Sequence, residues 1–221
     1  DFDGDGTFET TSATGTASYF FPDDSFPPPA SDGTYTVDVR ISDGDGGVVT
    51  TSHDINVKNV SPTIAVTGAS EVEIGDSFTL SLGNVSDPGD DTVTQYLIDW
   101  SDGTQELVTG PGDYSHVYSS TMGYQTIRVF LVDEDGVHPP AGEHTVLVTG
   151  VKIIERKLYI IGTEGDDHIV ISEIGNSRLR VLTRLFPESG QTKHDFNLAD
   201  IDCLVVYTNG GDDHLVVSGN L

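Results

Sequence analysis

Apolar and polar residues alternate with a period of two along most of the chain, as in Tyr35-Thr36-Val37-Asp38-Val39-Arg40-Ile41. That alternation marks strands with one buried face. No window sustains a period of 3.6, and Thr, Ser, Val, Gly and Asp dominate, so helices are not expected. The alternating runs Ala17 to Phe21, Thr34 to Ser42, Val48 to Val57, Thr63 to Thr67, Ser77 to Leu82, Thr94 to Trp100, Gln125 to Val132 and His144 to Thr149 predict strands. Turn residues separate them at the spacing of a β-sandwich. From Lys157 onward the apolar runs become shorter and denser. The pattern predicts an all-β chain.

Two internal repeats organise it. Gly33-Thr34-Tyr35-Thr36-Val37-Asp38-Val39-Arg40-Ile41-Ser42-Asp43-Gly44-Asp45-Gly46 matches the stretch from Gly123 to Gly136 after a one-residue shift, which implies two copies of one sandwich. The copies join at Lys58-Asn59-Val60-Ser61-Pro62, and the first lacks a counterpart to Pro62 through Leu97. A partial sandwich over residues 1–59 and a second over 60–150 follow. The later repeat is Gly165-Asp166-Asp167-His168 against Gly211-Asp212-Asp213-His214, flanked by Leu158-Tyr159-Ile160-Ile161 and Leu204-Val205-Val206-Tyr207. Residues 151–221 therefore read as a third unit.

Composition narrows the partners. Ten Lys and Arg against 36 Asp and Glu give a formal charge of −26, which repels nucleic acid and anionic membrane surfaces. The charge is uneven, −22 over residues 1–150 and −4 over 151–221. No apolar stretch is long enough to span a bilayer as a helix. The single cysteine, Cys203, lies in the apolar run Cys203-Leu204-Val205-Val206 and is expected to be a buried small hydrophobe. The chain opens at Asp1 inside a loop and stops at Leu221 just after a strand, so a segment of a larger protein, with further rungs beyond, is expected.

Asp99-Trp100-Ser101-Asp102-Gly103-Thr104, Ser115-His116-Val117-Tyr118, Gly123-Tyr124 and Val132-Asp133-Glu134-Asp135-Gly136 together resemble the signature series of the PKD family of immunoglobulin-like sandwiches. The first unit matches it from Asp1-Phe2-Asp3-Gly4-Asp5-Gly6 onward. The resemblance implies two tandem immunoglobulin-like β-sandwiches, with Trp100, Tyr118, Tyr124 and Phe130 packing the core rather than forming a sugar-stacking platform. Gly162-Thr163-Glu164-Gly165-Asp166-Asp167-His168-Ile169-Val170 and the stretch from Thr208 to Val216 resemble the hemolysin-type calcium-binding nonapeptide. That resemblance implies a short parallel β-helix or β-roll-like segment. The copies are 46 residues apart rather than in tandem, so one rung would comprise the whole interval, with Arg178 to Leu185 and Asp195 to Leu198 on its far side.

Carboxylates crowded on short glycine turns are hard oxygen ligands suited to Ca²⁺. Asp1-Phe2-Asp3-Gly4-Asp5-Gly6 also opens like an EF-hand loop, but Ser12 stands where the bidentate acid belongs. A sandwich-type site is expected instead, with Asp1, Asp3 and Asp5 meeting Asp43 or Asp45. In the second sandwich Asp99 and Asp102 would meet Asp133 and Asp135. Resemblance to calcium-binding PKD members adds Asn59 from the linker. In the third unit Asp166, Asp167, Asp212 and Asp213 would stack and either share an ion or clash without one.

No Gly-x-Ser-x-Gly elbow, His-Glu-x-x-His helix or phosphate loop is present. Acids on exposed Asp-Gly turns are not the buried, unequal pair of a glycosidase, and His138 and His144 lack a third metal ligand nearby. The expectation is a non-enzymatic, calcium-binding structural or adhesive module of a large extracellular or cell-surface protein. Its partners would be neighbouring domains of the same protein, further copies of itself, or surface polymers. The rival is an accessory module that positions a secreted hydrolase on carbohydrate or protein, and an exposed aromatic row would favour it.

Overall fold

The computed structural model describes residues 1–21, 32–88, 91–134, 136–175, 177–186 and 190–219. No α-helix occurs among them, and the one helical turn is the 3-10 segment Leu198–Asp200.

In the first unit β1 (Asp32–Ser42) and β2 (Val48–Lys58) form a two-stranded antiparallel hairpin with Ser42 opposite Val48. Among the described residues Tyr35 and Val37 are its buried apolar ones. Ala17 to Phe21 forms no strand. Rings organise this stretch in place of a backbone ladder: Tyr19 stacks on Phe2 at 4.5 Å, and Phe21 meets Tyr19 and Tyr35 edge-on at 4.9 Å each.

The second unit is a sandwich. One sheet holds β3 (Thr63–Gly68), β5 (Ser77–Ser86) and β8 (Gly112–Val117), with β5 central. The facing sheet runs β7 (Gln105–Val108), β6 (Gln95–Asp99), β9 (Gly123–Asp133) and β11 (Gly142–Ile154), with the short β4 (Glu71–Glu73) parallel to β11 and β10 (Gly136–Val137) folded back on β9. Period two makes the core: Phe78, Leu80 and Leu82 from β5 face Ile127, Val129 and Leu131 from β9. Trp100 and Tyr118 are buried between them, as expected. Tyr124 departs from expectation and is 58 % exposed. The parity of β9 is the reason: Gln125, Ile127, Val129, Leu131 and Asp133 point inward, so Tyr124 points out.

β11 does not stop at the sandwich. It pairs with β9 through Gly142 to Val148 and then with β12 (Lys157–Ile161) through Gly150 to Ile154. Covered on both faces, it is buried without a break from Val146 to Val151, with Thr149 the one polar residue in the run. Gly150 has φ of +116°, a left-handed conformation that L side chains avoid, and it turns the strand from one unit into the next.

In the third unit β12 pairs in parallel with β16 (Cys203–Tyr207), Lys157 opposite Cys203. Likewise β13 (His168–Ile174) pairs in parallel with β17 (His214–Ser218), His168 opposite His214. Both registers place a residue opposite the one 46 positions later, so the two rungs stack as a parallel solenoid. The rest of the interval differs from expectation. β14 (Arg178–Arg184) and β15 (Thr192–Asn197) continue the sheet of β13 as antiparallel neighbours, closing a core of Leu158, Ile160, Ile169, Ile171, Leu179 and Val181. Cys203 is exposed rather than buried, because it opens an edge strand opposite the exposed Lys157.

Candidate metal centre

The structure brings three carboxylates together at the linker end of the sandwich: Asp87, Asp91 and Asp133, each offering an oxygen within 4.8 Å of the others. β9 carries Asp133 to its last position, pointing inward with the core residues. The loop entering β6 is clamped beside it: Thr94 N–H donates to Val132 O at 2.8 Å and Thr92 N–H to Glu134 Oε2 at 2.9 Å. Oxygens of Asp87, Asp91 and Asp133, and Oδ1 of Asn59, are shielded from solvent. His138 is buried and pairs with Asp133, while its Nδ1 lies 3.1 Å from Ser61 Oγ. The chain Ser61–His138–Asp133 thus joins the linker to the acidic cluster.

The donor set fits a calcium ion. Oxygens on opposite sides of an ion with bonds near 2.4 Å would be about 4.8 Å apart, and one oxygen from each of the three acids lies within that distance of the others. Three carboxylates supply three to six of the usual six to eight oxygens. Two unit charges at that distance repel by about 3.5 kcal/mol at an effective dielectric of about 20, which a cation between them would relieve.

Asp99 and Asp102 do not join Asp133. β6 and β9 are antiparallel, with Gln95 opposite Val132 and Asp99 opposite Arg128. Asp99 is therefore five residues, about 16 Å, from Asp133 along the strand. Asp99 instead accepts Ser101 N–H at 2.9 Å. Asp102 accepts Thr104 N–H and O–H at 3.0 and 2.6 Å and pairs with His116 Nε2 at 2.8 Å. His116 in turn stacks on Trp100 with centroids 4.6 Å apart. Asp135 lies outside the described residues. Asp87 and Asp91 were missed by the sequence reading, although Ser86-Asp87-Pro88-Gly89-Asp90-Asp91 is itself a carboxylate turn.

In the first unit Asp1, Asp3 and Asp5 gather with Glu9, all within 4.8 Å. Asp1 accepts Gly4 and Gly6 N–H at 2.7 and 2.8 Å. Asp43 and Asp45 are not in that group. Asp1 sits beside the middle of β1, where its carbonyl accepts Asp38 N–H at 2.9 Å, whereas Asp43 closes its own turn by accepting Asp45 and Gly47 N–H at 2.9 Å each.

The two Gly-Asp-Asp turns do stack, as a ladder of carboxylates on backbone amides. Asp166 Oδ1 accepts Asp212 N–H at 2.8 Å, and Asp213 Oδ1 accepts Asp167 N–H at 3.0 Å. Buried Asp167 also accepts Thr163 N–H at 2.8 Å and Thr163 O–H at 3.0 Å. Burial pushes its carboxyl above the usual carboxylate range, the Asp213 and Glu71 charges add to that, and the Thr163 bonds oppose it. The turns are compatible with stacking because amide donors lie between the acids.

The strand pairing defines an immunoglobulin-like β-sandwich that runs on, through one shared strand, into a parallel β-solenoid of two rungs. No family model matches the chain, and no curated protein matches it. Among solved structures it is similar to the fibronectin(III)-like modules of Clostridium thermocellum CbhA, at 19 % identity and a TM-score of 0.32, with 54 % of this chain and 64 % of that chain covered. The chain thus spans under two thirds of the length of the structure it matches. Among the described residues no helix is long and apolar enough to cross a membrane, which says nothing of β-barrels.

Proposed function

We propose that this chain is a non-enzymatic, calcium-binding structural module of a larger extracellular or cell-surface protein, one that spaces or assembles neighbouring domains. The carrying observation is the Asp87–Asp91–Asp133 group, with Asp133 tied through His138 to Ser61 of the linker. An ion held by the three acids would fix the loop entering β6 to the end of β9 and, through His138, the interdomain linker. Asn59 Oδ1, shielded from solvent on the same linker, is the additional ligand implied by the PKD resemblance. Extracellular calcium is abundant enough to fill a site of modest affinity, and binding to the folded state alone would stabilise it by mass action.

The test is thermal unfolding of the chain in EDTA, in millimolar Ca²⁺ and in millimolar Mg²⁺. The expected result is a Ca²⁺-specific rise in Tm that Asp91→Asn removes and Asp99→Asn leaves intact. A rise that survives Asp91→Asn, or no rise at all, would sink the assignment.

A further inference from the structure

The outward face of the shared sheet carries a cavity that the calcium reading does not use. Tyr124 of β9 points out of the sandwich and is 58 % exposed, and Leu147 is its direct partner on β11. Beyond β11, β12 contributes Tyr159 and Ile161, and Tyr207 of β16, also 58 % exposed, pairs directly with Ile161. These five residues, together with Asn209, line a cavity of about 230 Å³. On one rim the Tyr124 hydroxyl donates to the Glu164 carboxylate, and Glu164 N–H donates to Glu71 Oε1 at 2.8 Å.

We propose that this cavity is a glycan-binding subsite that takes one pyranose ring of a neutral polysaccharide. A pyranose has an apolar C–H face and a rim of hydroxyls. Tyrosine answers both with a flat apolar ring and a polar tip, and here three tyrosines surround an aliphatic floor of Leu147 and Ile161. The volume lies below the roughly 300–1,000 Å³ of a drug-sized site, which limits the occupant to a single ring, with the rest of the polymer outside.

The rim selects further. Glu164, bonded to the Tyr124 hydroxyl, and Glu71, bonded to the Glu164 N–H, place negative charge beside the cavity that repels uronate, sulfate and phosphate, and the chain's charge of −26 acts in the same direction. An extended peptide would need an open strand edge, whereas the floor strands β11 and β12 are each paired on both sides. An acyl chain would leave the Tyr159 and Tyr207 hydroxyls facing hydrocarbon. None of the lining residues belongs to the carboxylate group proposed for calcium, so the subsite stands or falls independently of it.

Affinity electrophoresis of the 221-residue chain through gels containing hydroxyethylcellulose, laminarin, galactomannan or glycol chitin, with polygalacturonate as the anionic control, tests the proposal. Retardation by at least one neutral polymer and none by polygalacturonate is expected. Affinity should fall about tenfold in Tyr207→Ala and in Tyr159→Ala, the scale of one lost aromatic contact. Phe20→Ala removes a ring that is 69 % exposed elsewhere and should change nothing. Because Tyr207 is exposed, Tyr207→Ala should melt as the wild type does, which separates lost binding from lost folding. No retardation by any neutral polymer, equal retardation of wild type and a normally melting Tyr207→Ala, or preference for polygalacturonate would each overturn it.

Discussion

Replacing Asp167 separates a structural carboxylate from a metal ligand. Its Oδ2 and Oδ1 accept the N–H and O–H of Thr163, itself only 4 % exposed. Asp167→Ala strands that buried N–H, at a cost of about 1–3 kcal/mol, and the vacated volume adds to it. Asp167→Asn keeps a carbonyl oxygen for the Thr163 N–H, and the Thr163 hydroxyl can rotate to accept from the new amide while donating to Gly165 O, 3.4 Å away. The neutral variant should therefore lie within about 1 kcal/mol of wild type at pH 7.

The pH dependence sharpens the test. Burial raises the folded-state pKa of Asp167, so the folded chain holds this proton more tightly than the unfolded one. The resulting stabilisation is complete below about pH 3.8 and is lost as pH rises through the folded value. Asparagine lacks that loss, so Asp167→Asn should gain on wild type as pH rises from 4 to 7. Urea midpoints at constant m measure it. If Asp167→Asn is as damaged as Asp167→Ala at pH 7, or loses ground with rising pH, the negative charge itself is required. The ladder would then be holding a cation.

Asp102 should show the opposite slope. Burial alone would raise its carboxyl, but the Thr104 and His116 hydrogen bonds outweigh it and hold the folded value below the usual one. Its stabilisation is present above about pH 4 and is lost as pH falls through the folded value, so Asp102→Asn should flatten the acid limb of a pH–stability profile. Tyr118→Phe removes a hydrogen bond from a fully buried hydroxyl to Trp100 O at 3.1 Å and should cost about 1 kcal/mol in a urea melt. Gly211 has φ of +93°, and a Cβ there would lie 2.8 Å from Asp166 N on the rung beside it. Gly211→Ala should push the rungs apart, and hydrogen exchange at the Asp167 and Asp212 amides should accelerate well beyond that in the sandwich.

Strands such as Ser77–Ser86 and Gly123–Asp133 were legible because each has a half-buried face, which period two reports directly. Strands too short to show a period, such as Glu71–Glu73 and Gln105–Val108, were not. The solenoid register was legible because the repeat spacing of 46 residues is the register itself. The acidic cluster was legible only in kind. Carboxylates on glycine turns were identified in each unit, but the stretch from Asp87 to Asp91 was passed over, and which turns meet depends on strand direction: antiparallel β6 and β9 send Asp99 and Asp133 to opposite ends. Tyr124 was misplaced for a similar reason: it precedes the first inward residue of β9 by one, and one residue is the difference between core and surface.

The two junctions of the chain are held by different physics. At residues 150–154 the handover is a backbone ladder, since β11 bonds to β9 on one side of Gly150 and to β12 on the other. Bending there would break several backbone hydrogen bonds inside a closed core, so sandwich and solenoid should move as one body. At residues 59–62 the described contacts between linker and sandwich include side chains, Ser61 to His138 and His138 to Asp133. Side-chain contacts around a cluster of like charges respond to ions and backbone ladders do not. A cation acting on this chain would therefore set the angle of what precedes residue 60 and leave the glycan-sized cavity between the second and third units unchanged.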